Sequence, residues 1–388
     1  MRVFVLGAGA SGSLLAHLIA RQGHTVWCGD KDVQRAHRFL GKKSKIPVIE
    51  VNARNLWAIT RAGRGCHLLV NASPAVFNEI ILRAALRLRA HYLDLAAHLT
   101  RNPFKAEQLR YFDRFTEKKR TAVITAGVSP GLTNVLVKRA ADMFDRADAV
   151  FIRLYESTES EDPVSTWSSD VAFDEAVSRP RVYRDGHFKF AKRFGEAEWF
   201  RFPPPIGKTR VVLAAQDEVC TVPYYLPLRD MDVKIGGNEI DRLRRWYRQG
   251  KLSRARGLVA KRFPRTPTPR QVAKLIRGGV LHNAHFAAAV VVKGMKEEHP
   301  MTVRWDCMFP SLYQIRLQGL TTTPISYATA HMAALFVKHF PREFSGVHPS
   351  GELRLATIQA VLGDARKLFS IRLTVRREKR IEDEEEFL

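Results

Sequence analysis

The chain has 388 residues, of which 45% are hydrophobic and 26% are charged, and its formal net charge at pH 7 is +24. This length exceeds one ordinary hydrophobic core, so we expect at least two domains. No apolar run approaches the roughly 20 residues that a membrane span needs, and the four cysteines form no CxxC pair. We therefore expect no membrane insertion, no metal site and a reducing, cytoplasmic location.

The first 30 residues follow the order strand, glycine-rich turn, helix, strand and acid. An apolar strand, Arg2–Leu6, precedes Gly7-x-Gly9-x-x-Gly12, and after a helix-periodic run a second strand ends at Asp30. Gly7 permits a tight turn, Gly9 leaves room for a pyrophosphate, and Gly12 lets the helix pack against the strand. This pattern predicts a βαβ unit that binds a dinucleotide. The residues expected to line its phosphates are Gly7, Ala8, Gly9, Ala10, Ser11 and Gly12.

The acid at the end of the second strand bears on which dinucleotide is bound. A carboxylate at Asp30 would accept hydrogen bonds from the adenosine ribose and would repel a 2′-phosphate, which favours NAD. Lys31 and Arg35 follow it, and either could pair with a 2′-phosphate if Asp30 turned away. We therefore predict NAD, with NADP as the alternative.

Strands and helices continue to alternate as far as residue 127, which is typical of an α/β fold with a doubly wound parallel sheet. The predicted strands lie at 48–51, 66–72, 91–96 and 121–126, and the predicted helices at 77–88 and 103–118. Such sheets bind ligands beyond the carboxyl ends of their strands. We therefore expect the turn 71–74, Asp94 and the segment 127–134 to share one crevice with the glycine-rich turn.

After about residue 148 the pattern changes to longer, alternating strands, which predicts a mixed α+β region. We expect strands at 150–156, 181–190 and 210–215, a hairpin of 286–293 with 301–306, and helices at 241–247 and 271–276. Two further helix-periodic segments, 324–339 and 353–369, are expected to return and cover the first domain. The acidic run near the end of the chain is expected to be disordered.

Positive charge is concentrated between residues 242 and 270, where eleven Lys or Arg residues lie close to Trp246, Tyr247 and Phe263. The segment contains no recognised reader motif for nucleic acid. We favour a solvated basic helix, and nucleic acid or an acidic partner, including the acidic end of the chain itself, are the alternatives. Nucleic acid is therefore not an expected partner.

Six segments, taken in order, resemble the saccharopine dehydrogenase-like family of NAD(P)-dependent oxidoreductases. They are VLGAGASG (5–12), VNASP (70–74), HYLDLA (91–96), AGVSPGLTN (126–134), STWSSDVAFDEAVSRPRVYRDG (165–186) and GVHPSGE (346–352). The resemblance runs from residue 1 to about 369 and is strongest with lysine dehydrogenase-like members. Two segments depart from it: 216–218 reads Gln-Asp-Glu where members often have His-Ser-Glu, and 349–352 is longer than the usual Pro-Pro-Glu.

The resemblance implies a Rossmann domain at 1–127, an α+β substrate and dimerisation domain at 128–323, helices at 324–369 that return to the Rossmann domain, and a tail at 370–388. It also implies a homodimer. The turn 71–74 would lie beside the nicotinamide, and its cofactor-binding residues would be Asn71, Ala72, Ser73 and Pro74.

The implied chemistry is hydride transfer between a nicotinamide and a C–N bond of an amino acid or an opine-like secondary amine. One alternative is reduction of a Schiff base between a polyamine and an aldehyde acid, as in a carboxynorspermidine dehydrogenase. Another is a dinucleotide-binding regulator without turnover, which would use the basic segment to bind nucleic acid.

Chemistry at a C–N bond needs a group that takes or gives the amine proton. Asp94 is the predicted catalytic residue, because a strand-end carboxylate beside the cofactor can hold an ammonium group and accept its proton. The alternative for Asp94 is a hydrogen bond to nearby loop backbone or to the nicotinamide carboxamide.

Five residues are predicted to bind the substrate. Arg153 would supply a cation for a carboxylate, and Trp167 would line the cleft. Ser129, Thr133 and Asn134 stand at a helix start, where N–H groups can bind a carboxylate. As alternatives, Ser129 and Thr133 would cap the helix, and Trp167 would pack in the core.

Overall fold

The computed structural model describes residues 1–165, 177–251 and 266–377, which form two β-sheets with helices packed against them. Three predicted features lie outside the described residues. They are Trp167, residues 252–265 of the basic segment, and the acidic end after residue 377.

The first sheet is parallel and contains seven strands among the described residues. In chain order these are β1 (Arg2–Leu6), β2 (Thr25–Asp30), β3 (Val48–Glu50), β4 (Leu68–Asn71), β5 (His91–Asp94), β6 (Thr121–Ile124) and β15 (Gly346–Pro349). Their spatial order is β15-β6-β5-β4-β1-β2-β3. Every residue of β4 and β6 is buried because helices cover both faces, which explains the continuous apolar runs. The predicted doubly wound α/β sheet is confirmed.

The second sheet is mixed, and its central strands are long. Its strands are β7 (Arg146–Ser160), β8 (Arg181–Arg184), β9 (His187–Phe190), β10 (Glu198–Arg201), β11 (Lys208–Leu213), β12 (Asp230–Gly236), β13 (Leu281–Lys296), β14 (His299–Met308) and β16 (Ser370–Arg377). The spatial order is β10-β11-β12-β7-β13-β14-β16, and β8 pairs with β12 and β9. β12 runs parallel to β7, whereas β13 runs antiparallel to both of its neighbours.

The described helices cover both sheets. They are α1 (Ala10–Arg21), α2 (Val33–Leu40), α3 (Leu56–Ala62), α4 (Asn78–Leu88), α5 (Phe112–Glu117), α6 (Leu132–Ala141), α7 (Asn238–Arg248), α8 (Pro269–Arg277), α9 (Leu312–Leu317), α10 (Pro324–Lys338) and α11 (Leu355–Leu368). None of these described helices is long and apolar enough to cross a membrane. The predicted hairpin is confirmed, with Lys296 opposite His299 across the β13–β14 turn.

Two predicted elements differ in the structure. The single strand predicted at 181–190 is a hairpin of β8 and β9, because Asp185 and Gly186 adopt φ values of 52° and 78° and reverse the chain. The helix predicted at 103–118 begins later, with a 3-10 turn at Glu107–Tyr111 before α5. The loop before it folds back on itself, since the Glu107 N–H donates to the His98 carbonyl oxygen at 2.9 Å.

The C-terminal part of the chain returns to both sheets. α10 packs on α1, where Gln22 Nε2 donates to the Ala334 carbonyl oxygen at 2.9 Å, and β15 adds to the first sheet beside β6. Residues 370–377, which the sequence assigns to a tail, form β16 beside β14, and apolar and polar residues alternate there. The boundaries at 127 and 323 stay predictions.

Candidate active site

The glycine-rich turn between β1 and α1 has a backbone that only glycine fits. Gly7 has a φ of +97°, and a Cβ there would lie 2.7 Å from the Ala72 carbonyl oxygen. A Cβ on Gly12 would lie 1.9 Å from the Gly7 carbonyl oxygen, so glycine lets α1 approach β1. A Cβ on Gly9 would meet only Arg35 Nη1, at 3.9 Å, which leaves space for a phosphate. Gly9 also supplies no capping side chain, so the first N–H groups of α1 remain for an anion.

Asp30 lies at the end of β2 and faces the glycine-rich turn. Its Oδ2 accepts a hydrogen bond from the Ala8 N–H at 2.8 Å, and its Oδ1 accepts one from the Asp32 N–H at 3.0 Å. The carboxylate therefore does not turn away, and each oxygen keeps a lone pair that a ribose hydroxyl can use. This geometry fits the predicted role of Asp30 at the adenosine ribose.

Two cations lie beside this end of the site. The Arg35 guanidinium stacks on the Phe39 ring, 4.8 Å from its centroid, and reaches the space above Gly9. Lys31 is exposed at the start of the following turn. A 2′-phosphate would therefore also find a cation here, so the residues fit either NAD or NADP.

The turn after β4 is held by its own first residue. Asn71 Oδ1 accepts hydrogen bonds from the Ser73 N–H at 3.0 Å and the Ser73 hydroxyl at 2.5 Å, and its Nδ2 donates to Asn78 Oδ1 at 2.8 Å. The Ala72 backbone packs on the glycine-rich turn, while Ser73 and Pro74 are half-buried. Asn71 therefore shapes the turn, and a cofactor would contact the backbone of this turn.

Asp94 is buried at the end of β5. Its Oδ1 accepts a hydrogen bond from the Thr125 N–H at 2.8 Å, and its Oδ2 accepts one from Gln108 Nε2 at 3.0 Å. Burial raises the pKa of Asp94 to about 7, although these hydrogen bonds and one with the Tyr92 hydroxyl favour the ionised form. The structure shows the predicted alternative, a hydrogen bond to loop backbone. Direct participation of Asp94 in catalysis stays a prediction.

Glu218, in a 3-10 turn after β11, meets two of the predicted substrate-binding residues. Its Oε1 accepts hydrogen bonds from Ser129 Oγ at 2.5 Å and Thr133 Oγ1 at 2.8 Å. Its Oε2 is buried and has no hydrogen-bond partner among the described residues. Burial raises the pKa of Glu218, and the two hydroxyls oppose that shift. Ser129 and Thr133 therefore hold an acid of the turn after β11 and do not cap α6.

Asp217, the residue before Glu218, lies in the same region as Glu218. Its Oδ2 accepts a hydrogen bond from the Ala97 N–H at 2.9 Å, which ties the loop after β5 to the turn after β11. Burial raises the pKa of Asp217, whereas the charge of Arg181 lowers it. The charge of Asp217 in turn raises the pKa of Asp94 and Glu218. We call Asp94, Asp217 and Glu218 the crevice acids.

Asn134 lies in the first turn of α6, next to the crevice acids. Its Oδ1 accepts a hydrogen bond from the Gly131 N–H at 3.1 Å, and its Nδ2 donates to Thr221 Oγ1 at 3.2 Å. Its side chain therefore closes the start of α6 and fastens it to the segment that carries Glu218. Contact with a substrate stays a prediction for Asn134.

Arg153 is engaged inside the second sheet. Its Nε donates to Glu198 and its Nη1 donates to Asp232. Lys234 also pairs with Glu198 at 3.0 Å, and Arg184 pairs with Asp232 at 2.7 Å. This pairing argues against Arg153 as the partner of a substrate carboxylate, because its charge is already matched by acids of the chain. The set that we call the paired network is Arg153, Arg184, Lys234, Glu196, Glu198 and Asp232.

One group of side chains among the described residues has the spacing of metal ligands. Atoms of Glu79, His98 and Glu107 lie within 4.8 Å of one another. However, Arg110 pairs with the Glu79 carboxylate, and Arg101 lies 3.8 Å from it. Cations of the chain therefore already offset the acids, and the expected absence of a metal stays a prediction.

Asp217 and Glu218 are not among the residues that the sequence predicts to bind substrate. The signal that could have found them is a pair of adjacent acids where the resembled family has His-Ser-Glu. Their contacts with Ala97, Ser129 and Thr133 span 120, 89 and 85 residues of sequence. No local pattern reveals such pairs.

The parallel sheet, the glycine-rich turn and Asp30 together define a dinucleotide-binding protein of the dehydrogenase class. Residues 3–124 match the family model described as the saccharopine dehydrogenase NADP binding domain. This match confirms the resemblance found in the sequence, and the dinucleotide is NAD or NADP.

Comparisons with individual proteins extend the likeness to the second sheet. Carboxynorspermidine synthase of Vibrio cholerae serotype O1 is 21% identical over 270 residues, which cover 61% of this chain and 63% of that protein. The match thus spans less than two thirds of the relative. Apo saccharopine dehydrogenase (L-Glu forming) of Saccharomyces cerevisiae is 10% identical, with a TM-score of 0.70 over 97% of this chain and 100% of that chain. This match shows that the two proteins share the fold of both sheets.

A C. glutamicum DAP dehydrogenase in complex with DAP is also similar in structure. It is 12% identical, with a TM-score of 0.47 over 92% of this chain and 95% of that chain.

Proposed function

We propose that the chain is an NAD(P)-dependent dehydrogenase or reductase that acts on a C–N bond of a small amine substrate. The observation that carries this proposal is the contact between the turn after β11 and the carboxyl edge of the first sheet. There Asp217 binds the Ala97 N–H and Glu218 binds Ser129 and Thr133. Parallel α/β sheets bind their ligands at this edge, which the glycine-rich turn shares.

The first domain would hold the cofactor. The N–H groups of Ala10, Ser11 and Gly12 would bind the phosphates, and Asp30 would bind the adenosine ribose. A bound nicotinamide supplies the hydride chemistry. The protein's own task is then to place an amine beside the ring and to manage the amine proton.

Asp217 is the acid that we propose for proton transfer. It is the crevice acid that stays partly accessible, and its raised pKa brings it closer to the range where a carboxyl exchanges protons near neutrality. Asp94 is buried, and its charge state is linked to that of Asp217 through their repulsion. We propose that Asp94 positions the loop that carries Ala97 and sets the proton affinity of Asp217.

Two substrate classes follow from the family. One is an amino acid or an opine-like secondary amine, and the other is a Schiff base between a polyamine and an aldehyde acid. The similarity to the Vibrio carboxynorspermidine synthase supports the second class. We also propose a cytoplasmic homodimer, which the family resemblance and four buried free thiols support.

A matched pair of glycine variants tests cofactor binding. Gly9→Ala adds a Cβ in the open space above the turn, and Gly363→Ala adds one in α11 where nothing lies within 4 Å. Both should fold, but only Gly9→Ala should lose affinity for NADH and NADPH, by at least about tenfold. Fluorescence titration of both dinucleotides measures this. Binding of neither dinucleotide to the wild-type chain would refute the proposal.

Turnover tests the reaction itself. NAD(P)H oxidation with imines formed from amines and aldehyde acids, and NAD(P)⁺ reduction with lysine and saccharopine, cover both directions. Asp217→Asn keeps an acceptor for the Ala97 N–H but cannot exchange a proton. We expect it to lower kcat by about 100-fold or more, with an unchanged dinucleotide Kd. A kcat equal to that of the wild type would exclude Asp217 as the acid.

A further inference from the structure

β16 is the longest edge strand among the described residues, and it is exposed. It has eight residues, seven of which are exposed. The other edge strands, β3, β9, β10 and β15, have three or four residues each, and β15 is buried throughout. The outer side of an edge strand presents unpaired backbone N–H and C=O groups, so proteins normally keep such strands short or covered. A long, exposed edge therefore indicates a surface where another strand can add.

The backbone of β16 is regular along its whole length. All eight residues stand in unbroken register with β14, from Ser370 opposite Met308 to Arg377 opposite Met301. Among the described residues, β14 is its one neighbouring strand. The outer edge thus offers backbone donors and acceptors over about 26 Å, at 3.3 Å per residue.

The apolar side chains of β16 continue a buried apolar row of the second sheet. Leu373 lies opposite Trp305, and Val375 lies opposite Val303, and both residues of β14 are buried. Ile371, on the same face, is half-buried against the core. Leu373 and Val375 are themselves 40% and 41% exposed. The row therefore runs from the core to the edge of the sheet and ends there in two exposed apolar side chains, which a partner strand could cover.

A second copy of the chain matches this edge. Two identical antiparallel strands that are related by a two-fold axis place one residue opposite its own copy. When the axis passes at Leu373, Ile371 lies opposite the partner's Val375, and Arg372 lies opposite the partner's Thr374. Apolar side chains then meet apolar side chains, and no arginine within the pair lies opposite another arginine. The two apolar rows would join across the edge.

A different register and a different occupant match less well. Centring the pair on Thr374 would place Arg372 opposite the partner's Arg376, and like charges directly opposite each other are destabilising. The acidic run 382–386 of the same chain would offer opposite charge, but it could pair with β16 only after a reverse turn. Residues 378–381 read Glu-Lys-Arg-Ile, which contains none of the residues typical of hairpin turns.

We propose that β16 is the dimerisation edge of this protein. Two copies of the chain join through antiparallel β16 strands centred on Leu373, so that their second sheets form one continuous sheet. Backbone hydrogen bonds supply the pairing, and the joined apolar rows and the separated arginines fix its register. The proposed homodimer thereby acquires a surface, which does not depend on the proposed reaction.

A single cysteine tests the pairing, because Leu373 would face its own copy. The four native cysteines are buried and give little background. Under mild oxidation we expect full-length Leu373→Cys to form a disulfide-linked dimer on a non-reducing gel. Thr374→Cys should not cross-link, since its own copy would lie two residues further along the strand, beyond disulfide reach. Leu317→Cys, at a residue of α9 that is 72% exposed, is the control for random collision. Equal cross-linking of all three variants would overturn the proposal.

Opposite charges at the same position provide a second test. Leu373→Lys and Leu373→Glu each bring like charges together at the two-fold axis, so light scattering should show each as a monomer at concentrations where the wild type is a dimer. An equimolar mixture should recover the dimer, because a lysine then meets a glutamate; this recovery also shows that both variants are folded. A monomeric wild type, dimeric single variants or a mixture that stays monomeric would overturn the proposal.

The dimer edge and the proposed reaction fail in different ways. If the Leu373 variants separate and recombine as expected but no amine or imine supports hydride transfer, the reaction is wrong and the edge stands. If the wild type turns over such a substrate as a monomer, the edge is wrong and the reaction stands.

Discussion

Two groups of buried charge in this protein are built in opposite ways. In the paired network, Asp232 forms ion pairs with both Arg153 and Arg184. Glu198 forms ion pairs with Arg153 and Lys234. Each acid there has a cation within ion-pair distance. In the crevice acids, the carboxyls act on one another, and burial raises the pKa of all three.

We interpret the paired network as charge that stabilises the fold and the crevice acids as charge that serves ligand binding. A buried acid with matched cations keeps its desolvation cost offset within the chain. A buried acid without them has a raised pKa, which is typical of sites that bind cations or transfer protons. The paired network is centred on the second sheet, whereas the crevice acids lie where the turn after β11 approaches the first sheet. Four measurements test this distinction.

The largest effect is expected from Asp232→Ala, at the centre of the paired network. It leaves the guanidinium groups of Arg153 and Arg184 without their shared carboxylate, so we expect a loss of about 3–5 kcal/mol in the free energy of unfolding. Urea denaturation followed by circular dichroism measures it. Glu196→Ala removes the more exposed partner of Arg184 and should cost under about 1 kcal/mol. Equal losses in both variants would contradict the distinction.

The next effect is the pH dependence that Asp94 contributes. Because its pKa is about 7 in the folded chain and near 3.8 otherwise, the native state holds its proton more tightly between these values. This contribution to stability is complete below about pH 4 and is lost as pH rises through 7. Between pH 5.5 and 8.5 we expect a loss of roughly 2 kcal/mol. In Asp94→Asn, Tm should fall less over this range, and an identical slope would argue against the shift.

A smaller effect is expected from replacing Arg35, whose guanidinium lies beside the space above Gly9. Arg35→Ala should weaken NADPH binding about tenfold if the guanidinium meets a 2′-phosphate, and should change NADH binding by less than about twofold. Lys31→Ala, at a more exposed cation, is the control and should change NADPH affinity less. An NADH affinity well above that for NADPH, unaffected by Arg35→Ala, would favour the NAD prediction made from Asp30.

The smallest effect is expected from Glu218→Gln without ligand. Removing an unmatched buried charge while keeping the hydrogen bonds of Ser129 and Thr133 should leave Tm unchanged or raise it by roughly 1–2 °C. The same change of charge in the paired network, Asp232→Asn, should lower Tm. A marked fall in Tm for Glu218→Gln would indicate that the charge of Glu218 stabilises the fold, as the charges of the paired network do.

Local pattern was sufficient for much of the fold. The glycine-rich turn, the strand that ends at Asp30 and the β13–β14 hairpin each depend on residues close in sequence, so spacing alone predicts them. Prediction failed where a short feature interrupted a longer one, as at the Asp185–Gly186 turn. It also failed where a strand joined a distant partner, as β15 joins β6 and β16 joins β14.

Dinucleotide binding could be predicted from the sequence, because the residues that shape the phosphate site follow one another within a single βαβ unit. Which buried charges are paired depends on the tertiary structure. It placed Arg153 between two acids and left Glu218 Oε2 without a described partner, although both are charged residues in or after strands. Pairing depends on contacts between segments 30 to 120 residues apart, and the free energy of a buried charge is set by those neighbours and not by its own position in the chain.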